Sequence, residues 1–163
     1  MASIQISKEE MLKRVARFKE LKPIDYKAMG SGYVPQGMDA FSIIGQVTKD
    51  LPTIAAPHGF TMAVTKVAPG QGAPLHSHKT VEVFVPLSGQ WAFYWGDKGE
   101  NEVTLGPWDT ISFPAGLMEG FRNLGNEDGY LLAILGAPEV GEVTEYVLKK
   151  APCRVLLTAP PEG

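Results

Sequence analysis

Apolar positions recur at two different spacings along this chain, and the change of spacing divides it. Between Ser7 and Pro23, Met11, Val15, Phe18 and either Leu12 or Leu21 return every three or four residues. Lys13, Arg14, Arg17, Lys19 and Glu20 take the other face. That period predicts an amphipathic α-helix of about four turns. A capping box, Ser7-x-x-Glu10, opens it, each side chain satisfying an amide of the first turn, and Pro23 closes it. The apolar face should pack on the outside of the domain or in a dimer contact; acidic residues on the polar face argue against a membrane surface. From Pro23 to Gly59 the pattern is broken by Gly30, Gly32, Pro35, Gly37, Pro52 and Pro57. This stretch reads as an extended arm with one strand over 41–47.

From Phe60 onward the period changes to that of strands. Short β-rich runs occupy 61–67, 81–87, 91–95, 101–105, 110–113, 120–124 and 130–135. Turn chemistry separates them, including Pro69-Gly70, Ser88-Gly89, Gly106-Pro107 and Pro114-Ala115-Gly116. Short strands at this regular spacing predict an all-β sandwich or small barrel, and the brief connections require mostly antiparallel pairing. Beyond them, Val143, Val147 and Leu148 predict a short C-terminal helix, and 154–158 a final strand. The expected organisation is one domain: helix and arm over 1–59, barrel core over 60–136, and a C-terminal extension over 137–163.

Composition narrows the function classes. The 163 residues are 44% hydrophobic and 20% charged, which suits one globular domain with a real core. Fifteen Lys and Arg against eighteen Asp and Glu give a net charge of −3, so no basic excess advertises nucleic acid or an anionic membrane. Gly and Pro, 18 and 13, make up about a fifth of the chain, the surplus that many tight turns require. A single cysteine, Cys153, excludes an internal disulfide, a Cys-rich zinc module and a CxxC redox site. The longest strongly apolar run, 130–135, is far short of the ~20 residues that cross a bilayer. With no targeting segment in view, a cytoplasmic protein is expected. Phosphate loops, dinucleotide fingerprints and nucleophile elbows are absent.

The candidate chemistry gathers around two of the three histidines, His76 and His78, with Glu82 four residues further on. On a strand these three share one face, so they can converge inside a barrel wall. Two imidazoles and a carboxylate fit a divalent ion of the iron, manganese, nickel or zinc class. The spacing Gly70-(x5)-His76-x-His78-(x3)-Glu82-(x6)-Gly89 resembles the first motif of the cupin family. The resemblance runs over roughly residues 61–135 and implies a β-barrel of jelly-roll type with a metal held inside. The second cupin motif ends in P-x-G-x-x-H-x-x-x-N; Pro114, Gly116 and Asn123 stand in register here, but Glu119 takes the histidine position. A further departure is Trp108, in the place of the glycine usually found before Asp109.

Glu119 has three readings: a fourth metal ligand, a side chain turned to solvent or paired with Arg122, or a catalytic acid or base. Its shared face with Phe121 and Asn123 favours pointing inward. A buried carboxylate without a cation is costly. His58 is either a rim residue or a group that enters the cavity in place of the missing motif histidine. Phe84, on the face of Glu82, is expected to look towards the metal, and Phe121 to line the same space. Trp91, Phe93 and Trp95 share a face that forms barrel core, a dimer contact or an aromatic pocket.

The expectation that follows is a metal-binding cupin, with Fe²⁺ or Mn²⁺ favoured over Ni²⁺ or Zn²⁺, performing dioxygenase-type chemistry on a small organic molecule. Alternatives are a non-catalytic small-ligand or sensor module, or a cupin isomerase, lyase or decarboxylase. Nucleic acid and membrane are not expected partners, and a homodimer is.

Overall fold

The computed structural model describes residues 4–26, 35–45, 53–55 and 58–136. Nine strands are present among them: β1 (Met38–Ile44), β2 (Phe60–Val67), β3 (Gly72–His76), β4 (Glu82–Pro86), β5 (Trp91–Trp95), β6 (Asn101–Leu105), β7 (Ile111–Phe113), β8 (Glu119–Asn123) and β9 (Gly129–Gly136). They form two antiparallel sheets, one in the order β1-β2-β9-β4-β7 and the other β3-β8-β5-β6. The all-β architecture expected from the strand pattern is observed, in the jelly-roll form that the cupin resemblance implies. β5 and β6 fall on the residues the alternation marks. The strand foreseen over 41–47 begins earlier, at Met38, and pairs with β2 from Met38↔Val67 onward. The arm therefore supplies an edge strand of the larger sheet.

β3 has no counterpart among the strands expected from the sequence. Gly72 and Pro74 disguise it, since both are poor strand residues, and its pairing with β8 breaks register between Ala73 and His76. Gly72 is tolerated because the strands approach closely: a Cβ there would collide with the Phe121 carbonyl oxygen.

The interior follows strand parity. Phe84, Phe93, Phe113 and Phe121 pack as a ring cluster with centroid separations of 5.3–6.3 Å. Trp91, Val67 and Leu131 are fully buried around them. Asn123 is fully buried too, and is satisfied: its amide donates to the Val67 and Glu127 carbonyls at 2.9 and 2.8 Å. Its own oxygen accepts from the Gly125 N–H at 2.8 Å. It thus fixes the end of β8 to the end of β2 and to the following turn.

The N-terminal element is shorter than its periodicity predicts. α1 spans Lys8–Leu12, with the capping box formed by Ser7 and Glu10, and a single 3-10 turn follows at Phe18–Glu20. Among the described residues the helix buries none of its own, so burial does not support its extension. Leaving the helix lets Phe18 reach the outer face of the larger sheet, where it meets Phe41 and Tyr130 edge-on at 5.1 and 5.8 Å. The C-terminal helix and the strand over 154–158 lie outside the described residues. Among the described residues, no helix is long and apolar enough to cross a membrane.

Trp108 has φ +73°, in the left-handed region, and its side chain is 77% exposed. The turn is held by the Trp108 N–H donating to the Pro86 carbonyl and by the Gly106 N–H donating to Asp109, both at 2.9 Å. A glycine would occupy this backbone without the Cβ penalty. Trp108→Gly is expected to stabilise the protein by about 0.5–1 kcal/mol in chemical denaturation, since little packing is lost. A destabilised variant would mean that the indole contributes more than its exposure indicates.

Candidate metal centre

His76, His78 and Glu82 come together, but not by sharing one strand. His76 ends β3, Glu82 begins β4, and His78 lies in the connection between them. The shared-face argument is therefore replaced by a turn that folds the three towards one point. Each offers a ligand atom within 4.8 Å of the others. The imidazole rings of His76 and His78 stand 4.9 Å apart and nearly perpendicular.

Local contacts aim these side chains. His76 Nδ1 lies 2.8 Å from the Pro74 carbonyl oxygen. A carbonyl only accepts, so the proton sits on Nδ1 and Nε2 keeps its lone pair for a cation. Pro74 is a positioning residue the sequence reading passed over; a proline two residues before a candidate ligand was its only signal. The His78 carbonyl accepts from the Gly116 N–H at 2.8 Å, tying the ligand loop to the turn after β7. Gly136 N–H donates to the Val81 carbonyl at 2.9 Å and holds the other end of that loop against β9.

Glu119 stands opposite His76 across the β3–β8 pairing. It is 2% exposed, and Glu82 is 4% exposed. Arg122, the alternative partner considered for Glu119, instead lies 4.0 Å from Glu102 on the other face of the sheet. Glu82 is on the larger sheet and Glu119 on the smaller, so the two carboxyl groups meet across the barrel interior. Burial above all, together with the charge of the neighbouring Glu82 carboxylate and a hydrogen bond with it, raises the Glu119 pKa from 4.5 to about 8. His78 Nε2 lies 3.1 Å from Glu82 Oε2, and that polar contact raises the His78 pKa against the opposing effect of burial. One oxygen of each glutamate, Oε2, still lacks a well-aligned hydrogen bond.

This arrangement fits a divalent cation. Two buried carboxylates with unsatisfied oxygens face two imidazoles, one of which has its outer nitrogen held free. Nitrogen and oxygen donors without sulfur suit first-row divalent ions. His76, His78 and Glu82 form a group that could hold a metal ion; Glu119 is not one of that group, but its carboxyl group neighbours that of Glu82. Below them, Phe84 follows Glu82 by two residues and Phe121 follows Glu119 by two, so both lie one step deeper, as a closed aromatic floor. His58 is just before β2, its ring 5.9 Å from Phe60. Thr61 pairs with Leu135, which pairs with Glu82, so His58 is at the same end of the barrel but two strands away.

With this geometry in place, the comparisons with known proteins agree with the motif. Residues 63–135, somewhat under half of the chain, match the family model of the cupin domain. The fold is shared with the polyketide cyclase RemF from Streptomyces resistomycificus, at 17% identity and a TM-score of 0.58, over 75% of this chain and 78% of that one. KdgF from a Halomonas species is similar at 15% identity and a TM-score of 0.55, over 78% and 96%. So is the CENP-C cupin domain of Drosophila melanogaster, at 15% identity and a TM-score of 0.54, over 76% and 81%. No curated protein gives a significant sequence match.

The raised pKa values fix the sign of a pH effect in the metal-free protein. Glu119 and His78 each bind protons more tightly when folded than their ordinary values of 4.5 and 6.5. Their contribution to stability is therefore complete below those values and is lost as pH rises through the folded values. Denaturation of chelator-treated protein should show stability falling as pH rises from about 4.5 to about 8, and a saturating divalent ion should flatten that decline. A metal-free protein equally stable across this range would contradict the buried carboxyl pair.

Proposed function

We propose that this cupin is a metal-dependent enzyme acting on a small organic molecule, with one divalent transition-metal ion held by His76, His78, Glu82 and Glu119. The observation that carries this reading is the pair of unsatisfied buried carboxylates opposite the two imidazoles. A purely structural role would leave that pair a net cost to the fold. Fe²⁺ or Mn²⁺ is favoured by the two hard carboxylates, with Ni²⁺ or Zn²⁺ also compatible. When bound, such an ion supplies a Lewis acid and, as Fe²⁺, electron transfer to O₂, the chemistry of a dioxygenase.

The chain's own groups support the rest of the task. The phenylalanine floor excludes water from beneath the site, and the half-exposed His76 and His78 mark the side from which a substrate enters. Pro74 holds the His76 proton on the nitrogen facing away from the ligand group. A second reading rests on Glu119, whose carboxyl group retains a proton near neutral pH and sits beside the ligand set. It would serve as the acid or base of an isomerase or lyase, a role that needs no oxygen. Among the proteins sharing the fold, the one named a polyketide cyclase supports an organic substrate.

Purified protein should carry close to one transition metal per chain, measured by elemental analysis. His76→Ala and Glu82→Gln should each reduce that content and any turnover at least about tenfold. Failure to take up Fe²⁺, Mn²⁺, Ni²⁺ or Zn²⁺ on reconstitution would remove the metal from the proposal. Oxygen uptake with a substrate panel separates the two readings: turnover that persists without oxygen, and is lost in Glu119→Gln with metal retained, selects the proton-transfer enzyme.

A further inference from the structure

The strand registers stack the barrel interior in rows, because residues directly opposite each other in a pairing share one face of the sheet. One row lies at the level of the two buried glutamates. On the larger sheet it runs from Leu135 through Glu82 to Phe113, across β9, β4 and β7. On the smaller sheet it runs from His76 through Glu119 to Trp95, across β3, β8 and β5. The row beneath it is apolar, with Phe84 opposite Ala133 and Ile111, and Phe93 opposite Phe121.

The upper row has two unlike flanks. Glu119 has an imidazole, His76, on one side and an indole, Trp95, on the other. Glu82 has Phe113 beside it. The Phe113 ring reaches across to Phe93, 6.3 Å away, and Trp95 is the next inward residue after Phe93 on β5. Trp95 and Phe113 therefore lie on the same side of the glutamate pair, away from His76. Phe113 is 3% exposed and closed into the phenylalanine cluster, whereas Trp95 packs on that cluster from its rim and is only partly buried. The nitrogen and oxygen donors thus stand on one flank and a flat aromatic face on the other. A planar ring laid at an offset on an indole gains more than its buried area alone supplies, while an aliphatic group gains burial only.

We propose that Trp95 is the specificity-determining residue of this site, and that it selects a planar conjugated ring bearing neighbouring oxygen donors. The ring lies along the indole and the oxygens turn to the group formed by His76, His78 and Glu82. This assignment rests on the metal-dependent reading given above and adds to it the shape of the organic molecule.

Benzohydroxamate and acetohydroxamate present the same pair of oxygen donors, one on a planar ring and one on a methyl group, and serve as the probes. Each is titrated calorimetrically into the whole chain loaded with Zn²⁺ or Ni²⁺, after elemental analysis of the bound ion. The wild type should bind benzohydroxamate at least about tenfold more tightly than acetohydroxamate. Trp95→Leu should abolish most of that preference while leaving metal content and acetohydroxamate affinity unchanged. Trp95→Phe keeps a flat ring in the packing and should restore part of the preference, which a merely structural role for Trp95 would not produce. Equal affinity for the two probes in the wild type, or a preference that survives Trp95→Leu, overturns the proposal. Equal weakening of both probes in Trp95→Leu overturns it in favour of a structural role. Failure to take up either ion removes the metal-dependent reading and this proposal with it, whereas a bound ion without ring preference removes this proposal alone.

Discussion

Two carboxylates buried face to face, Glu82 and Glu119, set the terms for the rest of this barrel. Each comes from a different sheet, β4 in the five-stranded layer and β8 in the four-stranded one. Two ionised carboxylates in so little water repel one another, and burial alone already pushes Glu119 towards its neutral form. The interior tolerates the pair only with a proton or a cation between them. The same requirement explains why the two histidines stand at this mouth of the barrel and not along its wall. His76 is opposite Glu119 in the strand pairing, and His78 is beside Glu82.

The other half of the interior makes that arrangement affordable. Phe84 and Phe121 occupy the next inward positions on the strands that carry the two glutamates, and with Phe93 and Phe113 they seal the space beneath. Each aromatic burial contributes on the order of 2 kcal/mol, enough together to offset a local polar cost. Asn123 closes the far end of β8 with three hydrogen bonds, so the strand is anchored at one end by a satisfied polar group and strained electrostatically at the other. Stability and chemistry are thus placed at opposite ends of one strand.

How much of this the sequence discloses depends on which residues speak with one voice. In β5 and β6, alternation, β-branched or aromatic content and flanking glycines agree, and the expected bounds coincide with the observed strands. In β3 they disagree: Gly72 and Pro74 suppress the strand signal, although a close approach to Phe121 and an irregular pairing make them suitable there. The N-terminal helix shows the opposite failure. Its apolar period is real, but period alone cannot say whether a face finds a partner within the chain, and only Phe18 does so through ring contacts. At the site, residue types and spacing identify His76, His78 and Glu82, while the route by which they converge, a strand end, a loop and a strand start, is invisible to a parity argument.

Glu119 and Trp108, the two departures from the cupin motifs, have different physical characters. Trp108 replaces a glycine where the backbone needs a positive φ, and its consequence is local strain at an exposed turn. Glu119 replaces a neutral imidazole with a group that is charged when it gives up its proton. A neutral histidine there would leave Glu82 as the single buried anion and would present a lone pair from one ring nitrogen. A glutamate instead couples cation binding to loss of a proton, because the ion and the proton compete for the same oxygens. Metal affinity at this site should therefore rise with pH more steeply than a three-ligand site with His76, His78 and Glu82 alone would require, and the chemical consequence of the substitution lies in that coupling more than in the geometry of the barrel.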